Sequence, residues 1–309
     1  MTQETASSPA ASALEKCRDR TRDGVAAALI SYTLWGFLPI YFKAVAAVPS
    51  LEVLAHRIIW AVPFGVPIII LGRRWPEVRR ALSHRPTLRL LTLSATVIAV
   101  NWLVYIGAVQ HDEILQASLG YYINPLIYVL VGVVFFGERL RRLQTAAVLL
   151  AAAGVAVLTF SGGKFPTIAL TLAVAFTIYG VIRSRVAVGG MPGLFIETSL
   201  LFPFAAGYLV WLMSAGAAVF RPGDPRMMGI LMLAGPLTVL PLLCFALAAR
   251  RLKLSTVGVM QFITPTLQFA VAVAYGERLT IPHVVCFALI WIAVAIFSWD
   301  AWRGARARQ

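Results

Sequence analysis

The sequence predicts an all-α polytopic membrane protein of ten transmembrane helices, arranged as two inverted five-helix repeats. Three observations carry that prediction. Of the 309 residues, 60% are apolar and 13% are charged, where a soluble domain carries about 45–50% and about 25%. The apolar residues arrive in runs of about 20, the length at which a helix crosses a bilayer. A stretch of the fourth run recurs in the ninth. Such a composition excludes an ordinary soluble domain and a disordered chain, and 3 cysteines are too few for a disulfide scaffold.

The ten runs lie near 24–46, 51–71, 88–109, 113–136, 143–161, 165–187, 194–214, 227–249, 255–275 and 281–302. They must be helices, because unpaired backbone groups are too costly in lipid. Barrel strands would alternate in polarity, and these runs do not. Short connections make successive helices antiparallel neighbours. Residues 1–23 are polar and lack the apolar core of a secretory signal, so they read as a disordered cytoplasmic tail.

A formal charge of +14 would suggest nucleic acid in a soluble protein. Here the cations sit in short clusters between apolar runs, so no nucleic-acid partner is expected; the lipid bilayer is the partner. With the N-terminus inside, 21 cations fall in cytoplasmic segments and 4 outside, while Lys43 and Arg57 lie within spans. That asymmetry places both termini in the cytoplasm. Cys17, Cys244 and Cys286 are far apart and have no histidine at ligand spacing, so no metal is expected.

ASLGYYINPLIYVLVGVVFFGERL (117–140) is matched by STVGVMQFITPTLQFAVAVAYGERL (255–279). Pro125 pairs with Pro265 at an offset of 140, and Glu138 with Glu277 at 139. The repeats then span 24–161 and 162–302, leaving 303–309 as a cytoplasmic tail. Five is odd, so the second copy enters upside down. Arg139 falls inside and Arg278 outside, in agreement. Inverted repeats recur in secondary transporters, with the substrate site between the halves near the midplane.

Several stretches resemble one family: YTLWGFLPIYFKAV (32–45), EVLAHRIIW (52–60), NWLVYIGAV (101–109), ASLGYYINPL (117–126) and PLLCFALAARRLKLSTVG (241–258). With the repeated Pro…Gly-Glu-Arg pattern they are similar to EamA-type transporters of the drug/metabolite superfamily, in the RarD-type branch. The resemblance covers nearly all of 24–302 and implies a permease of the bacterial inner membrane. It supplies no substrate.

No P-loop, HExxH or GxSxG motif is present, so neither a cofactor nor ATP is expected, and an integral membrane enzyme or a non-transporting membrane protein is the alternative to a permease. Intramembrane ionisable residues point to function by default. Glu52 and His56 stand at i and i+4, able to pair and to carry a coupling proton; Arg57 is one step round, suited to an anionic group. The same cluster would also serve as an interfacial anchor. Asn101, Trp102 and Tyr105 suit an amphipathic small molecule, facing the greasier Pro241, Leu242 and Phe245 of the second half. Trp35 and Tyr179 form a matched aromatic pair. Pro125 and Pro265 interrupt two spans at matched places, freeing the carbonyls of Tyr121 and Gln261 for Asn124 and Thr264 to approach. Trp35, Arg57, Asn101, Trp102, Tyr105, Tyr121, Asn124, Tyr179 and Gln261 are therefore the expected substrate contacts. Glu197 is expected to pair with Arg183 or Arg185. Oligomeric state is not readable from these features.

The topology is testable with reporter fusions. Fusions within 73–85, 139–142 and 250–253 should report from the cytoplasm, and those at 162–164 and 221–226 from outside. A cytoplasmic result for 221–226 would break the ten-span inverted arrangement.

Overall fold

Each apolar run becomes a helix because only intrahelical bonding satisfies its backbone in lipid, and the charged clusters between runs become the turns. The computed structural model describes residues 9–136, 141–162, 165–221, 223–252 and 254–306. Its ordered elements among them are α1 (Pro9–Ala44), α2 (Ser50–Leu71), α3 (Trp75–Ser83), α4 (Arg85–Gln110), α5 (Ile114–Phe136), α6 (Arg142–Gly162), α7 (Thr167–Ser184), α8 (Gly190–Ser214), α9 (Pro225–Met232), α10 (Ala234–Ala249), α11 (Leu254–Met260), α12 (Ile263–Ala274) and α13 (Ile281–Arg306). Among the described residues ten helical segments follow the ten runs, with α9–α10 forming the eighth and α11–α12 the ninth, and nine of them are long and apolar enough to cross a membrane. The first Gly-Glu-Arg-Leu, with Glu138 and Arg139, lies outside the described residues.

Two expectations are corrected and one element is added. The polar tail is helical from Pro9 and continuous with the first span; its Ala, Leu, Glu, Lys and Arg residues are good helix formers and its proline stands at the first helical position. Between the second and third spans lies α3, a short amphipathic helix that buries Val78 and Ala81 and exposes Arg79 and Arg80. The two prolines are not equivalent. Pro125 sits inside the unbroken α5, whereas the ninth span breaks at Gln261–Phe262 and Pro265 falls in the first turn of α12. A first-turn proline leaves no needed donor missing, and the Gln261 carbonyl accepts from Thr264 N–H at 3.2 Å.

The helices pack across the two halves. α6 lies on α13, α2 on α8 and α5 on α12; α1 packs on α10 and α12 as α7 packs on α4 and α5. Exchanging every helix for its counterpart five spans on maps this set of contacts onto itself. At Gly36 of α1 the approach is so close that an added Cβ would stand 2.6 Å from Leu267 Cβ on α12, the small-residue packing that membrane helices use. Large apolar side chains such as Phe160, Phe204 and Ile281 are more than three-quarters exposed, as a lipid-facing belt requires.

One end of the bundle carries Arg74, Arg183 and Arg250. The opposite end is tied shut by polar contacts. Lys43 pairs with Asp112, and Gln110 Nε2 donates to the carbonyls of Val45 and Val48 at 3.1 and 2.9 Å. The Glu277 carboxylate accepts from Ile114 N–H at 2.6 Å and Leu115 N–H at 2.8 Å, so it caps the start of α5 from the second half.

Gly36→Ala should therefore lower stability by about 1–3 kcal/mol through overpacking. Gly207→Ala, whose new Cβ meets nothing within 4 Å, should raise it by about 0.5–1 kcal/mol through helix propensity. Unfolding midpoints in detergent measure both; equal shifts would deny the α1–α12 contact its role.

Candidate functional site

Polar side chains inside lipid turn toward each other, and here they turn toward one cavity of about 750 Å³. It reaches the basic end, where Gly72, Arg74, Gly189 and Arg250 border it, and ends within the bundle around Leu38, Arg57, Tyr105 and Gln268. Its size is that of a small-molecule site. All nine residues expected to contact substrate line it: Trp35, Arg57, Asn101, Trp102, Tyr105, Tyr121, Asn124, Tyr179 and Gln261. Of the greasier second-half positions, Leu242 and Phe245 line it and Pro241 does not.

Arg57 is 5% exposed, too buried for an interfacial anchor. Its Nε donates to Thr238 Oγ1 at 2.9 Å, and that hydroxyl donates onward to the Ala234 carbonyl at 2.7 Å. The guanidinium carbon lies 4.2 Å from the Trp102 ring centroid and 5.9 Å from that of Phe42. No carboxylate among the described residues pairs with it, and its Nη1 has no protein hydrogen-bond partner. A desolvated cation–π contact offsets about 2 kcal/mol and one charged hydrogen bond about 1.5–3 kcal/mol. Burying an ion costs at least several kcal/mol, so the protein leaves this charge only partly compensated.

Two neighbours are likewise half-satisfied. Asn101 Nδ2 donates to the Leu172 carbonyl at 3.1 Å, and Gln268 Nε2 donates to the Trp35 carbonyl at 3.2 Å and Tyr105 OH at 2.9 Å. Their oxygens, Asn101 Oδ1 and Gln268 Oε1, are buried without a protein partner. Gln268 was not among the expected contacts. Its signal was there: an amide within an apolar span, seven residues past Gln261 and therefore on the same helical face. Tyr32, Phe176 and Thr238 also line the cavity and were missed, since isolated aromatic and hydroxyl residues in such runs usually pack.

Asn124 and Thr264 do not approach their own helices' freed carbonyls. Asn124 Oδ1 accepts from Thr177 Oγ1 on α7 at 3.0 Å, and Thr264 Oγ1 donates to the Tyr32 carbonyl on α1 at 3.0 Å. These matched residues tie each half's fourth span to the first span of the other half.

Glu52 and His56 do not pair and do not line the cavity. Glu52 Oε1 accepts from Val219 N–H at 2.8 Å and Phe220 N–H at 3.2 Å, while His56 Nδ1 accepts from Trp60 Nε1–H at 3.2 Å. Spacing put them on one face; the 219–220 backbone, arriving from outside that helix, took the carboxylate. Glu197 pairs with Arg183 at 3.7 Å and accepts from Ser94 Oγ at 2.6 Å and Tyr179 OH at 3.2 Å.

The family model for EamA-like transporters matches residues 22–160. The chain is 45% identical to Protein RarD of Salmonella typhi over 91% of this chain and 96% of that one. It is 44% identical to an uncharacterized transporter of Vibrio cholerae over 93% and 96%. A chloramphenicol-sensitive protein RarD of Pseudomonas aeruginosa is 33% identical over 91% and 95%. A solved crystal structure, 19% identical, aligns over 91% of this chain and 97% of its own with a TM-score of 0.59, which shows the fold.

Thr238→Val keeps the shape of the side chain and removes the acceptor that Arg57 Nε has among the described residues. It should destabilise the protein by about 1.5–3 kcal/mol. An unchanged unfolding midpoint would mean that Arg57 is solvated through the cavity instead.

Proposed function

Because the chain belongs to the EamA-like transporter family, in its RarD branch, and is a multi-pass inner-membrane transporter, we propose that it is a secondary permease moving a small organic solute by alternating access. The observation that carries this reading is a cavity open at one end and tied shut at the other, lying between halves whose contacts exchange onto themselves. By the cation asymmetry the open end is cytoplasmic and both termini lie inside. The repeats are 24–161 and 162–302, between the 1–23 and 303–309 tails. The nine expected residues contact the solute, and no cofactor takes part. Glu52 and His56, the expected carriers of a coupling proton, act on the outer closure rather than on the solute, since Glu52 holds the 219–220 backbone. Solute entry into proteoliposomes tests the whole reading, and a purified protein that binds but never moves a solute would defeat it.

Glu277 is the clearest element of the outer closure. Burial raises its carboxyl above the ordinary glutamate value, outweighing the two backbone N–H groups and Lys43 that pull it down; Asp112 pushes upward as well. A group raised only when buried binds its proton more readily in the closed form. Acidification through the interval between the ordinary and the raised value therefore favours closure, and that bias is lost as pH rises above the raised value.

This is measured by labelling Leu38→Cys, in a background without native cysteines, with a membrane-impermeant thiol reagent applied from outside. Glu277→Ala strips the partner from Ile114 and Leu115 N–H and should speed labelling severalfold. Glu277→Gln should remove the pH dependence. Labelling that Glu277→Ala leaves unchanged would take Glu277 out of the closure.

A further inference from the structure

We propose that the solute is a small organic monoanion, a carboxylate with an apolar ring-sized body and a hydrogen-bond donor beside the acid, and that Arg57 is its counter-charge. The proposal rests on the transport reading of the cavity and names the class of molecule it takes.

Charge comes first. Among the described residues, the cavity is bordered by Arg57, Arg74, Arg183 and Arg250, and by no aspartate or glutamate. A cationic solute would find no carboxylate there to pair with. Two of these arginines are already matched: Arg74 bonds Glu77 at 3.2 Å, and Arg183 pairs with Glu197. Arg250 stands exposed at the mouth, where it raises the local concentration of anions rather than fixing them. Arg57 alone is both deep and without an acid. One uncompensated cation selects one negative charge.

Geometry narrows it further. The Arg57 Nε is held by Thr238 and the guanidinium face by Trp102, so Nη1 remains to donate. The fixed planar fork suits a carboxylate. Trp102 is preceded by Asn101, and Tyr105 one turn on is held by Gln268. The free acceptors Asn101 Oδ1 and Gln268 Oε1 belong to residues that line the same cavity as Arg57. Buried acceptors left unmatched are costly, and a hydroxyl or N–H beside the carboxylate would satisfy them. Trp35, Tyr121, Phe176 and Phe245 surround the remaining space, and their faces suit an apolar ring.

The test uses the full-length protein in detergent, with 3-phenyllactate, 3-phenylpropionate, 3-phenylpropionamide and 3-phenylpropylamine as probes. A ligand that binds only the folded state raises the unfolding midpoint in proportion to its affinity. The two carboxylates should raise it saturably, the neutral amide should bind about tenfold more weakly or worse, and the amine should have no effect. 3-Phenyllactate should bind more tightly than 3-phenylpropionate, and Asn101→Leu should shrink that difference. Arg57→Ala, if monodisperse, should lose the preference for carboxylate over amide, and Arg57→Lys should keep part of it. The wild-type comparison stands even if Arg57→Ala fails to fold. Equal binding of acid and amide, no shift with either carboxylate, or a preference surviving in Arg57→Ala would each overturn the anion site. Equality of 3-phenyllactate and 3-phenylpropionate would remove the donor from the proposal. Proteoliposome uptake of the same probes separates this proposal from the one beneath it. Arg57-dependent binding without uptake defeats the transport reading and leaves the anion site. Uptake of amide and amine as fast as acid defeats the anion site and leaves transport.

Discussion

A polar group inside a bilayer has no bulk water to bond, so one released by a local irregularity is commonly satisfied by a neighbouring helix. Pro39 inside α1 lacks the N–H that would bond the Trp35 carbonyl one turn back. Gln268 of α12 donates to that carbonyl and, with the same nitrogen, to Tyr105 of α4. One proline thereby fixes the position of an amide from the second half and a phenol from the first, and Tyr105 in turn packs edge-on against Tyr121 and Phe42. The cavity wall around Arg57 is built from this chain of obligations. Its rigidity comes from backbone satisfaction, not from the apolar contacts, which lipid would supply equally well.

The pseudo-symmetry of the backbone carries an asymmetric chemistry. Arg57 and Glu197 stand at the same offset of 140 that separates Pro125 from Pro265, so the two halves place opposite charges at matched positions. Glu197 is compensated three times over, by Arg183, Ser94 and Tyr179. Arg57 receives one hydroxyl and two aromatic faces. The repeat supplies two equivalent scaffolds, and the difference in compensation decides which of them holds a group free for a ligand.

The spans and the cavity residues were legible in the sequence because hydropathy and intramembrane polarity are the dominant energies there. Asn101, Asn124 and Gln261 stand out from apolar surroundings, and a polar side chain in lipid has few directions to turn. What was not legible depended on partners distant in the chain. The face shared by Glu52 and His56 was correct as helical geometry, yet the Val219 and Phe220 backbone decided where the carboxylate went. The prolines looked equivalent in the repeat, but α5 runs through Pro125 while the ninth span breaks before Pro265. The helix α3 was hidden because nine residues rich in arginine carry too short an apolar pattern to register. Gln268 drew no expectation, since nothing local reveals that the carbonyl of Trp35, more than 200 residues earlier, needs a donor.

The bond from Arg57 to Thr238 joins α2 of one half to α10 of the other, and the two helices approach so closely that a side chain at Gly235 would run into the Trp60 carbonyl. In the proposed cycle this contact has little room to slide, because its two surfaces are backbone against backbone. The looser joints are the ones made by side chains at the closed end, where Lys43, Gln110 and Glu277 bridge across to segments they can release. In that cycle the charge would stay with its hydroxyl while the ends of the bundle exchange their closures. A bound monoanion would cancel that charge, so the loaded cavity carries no net buried cation through the change, whereas the empty one does. Since the cost of a buried ion scales with its uncompensated charge, in the proposed cycle the loaded protein would switch with less electrostatic cost than the empty one.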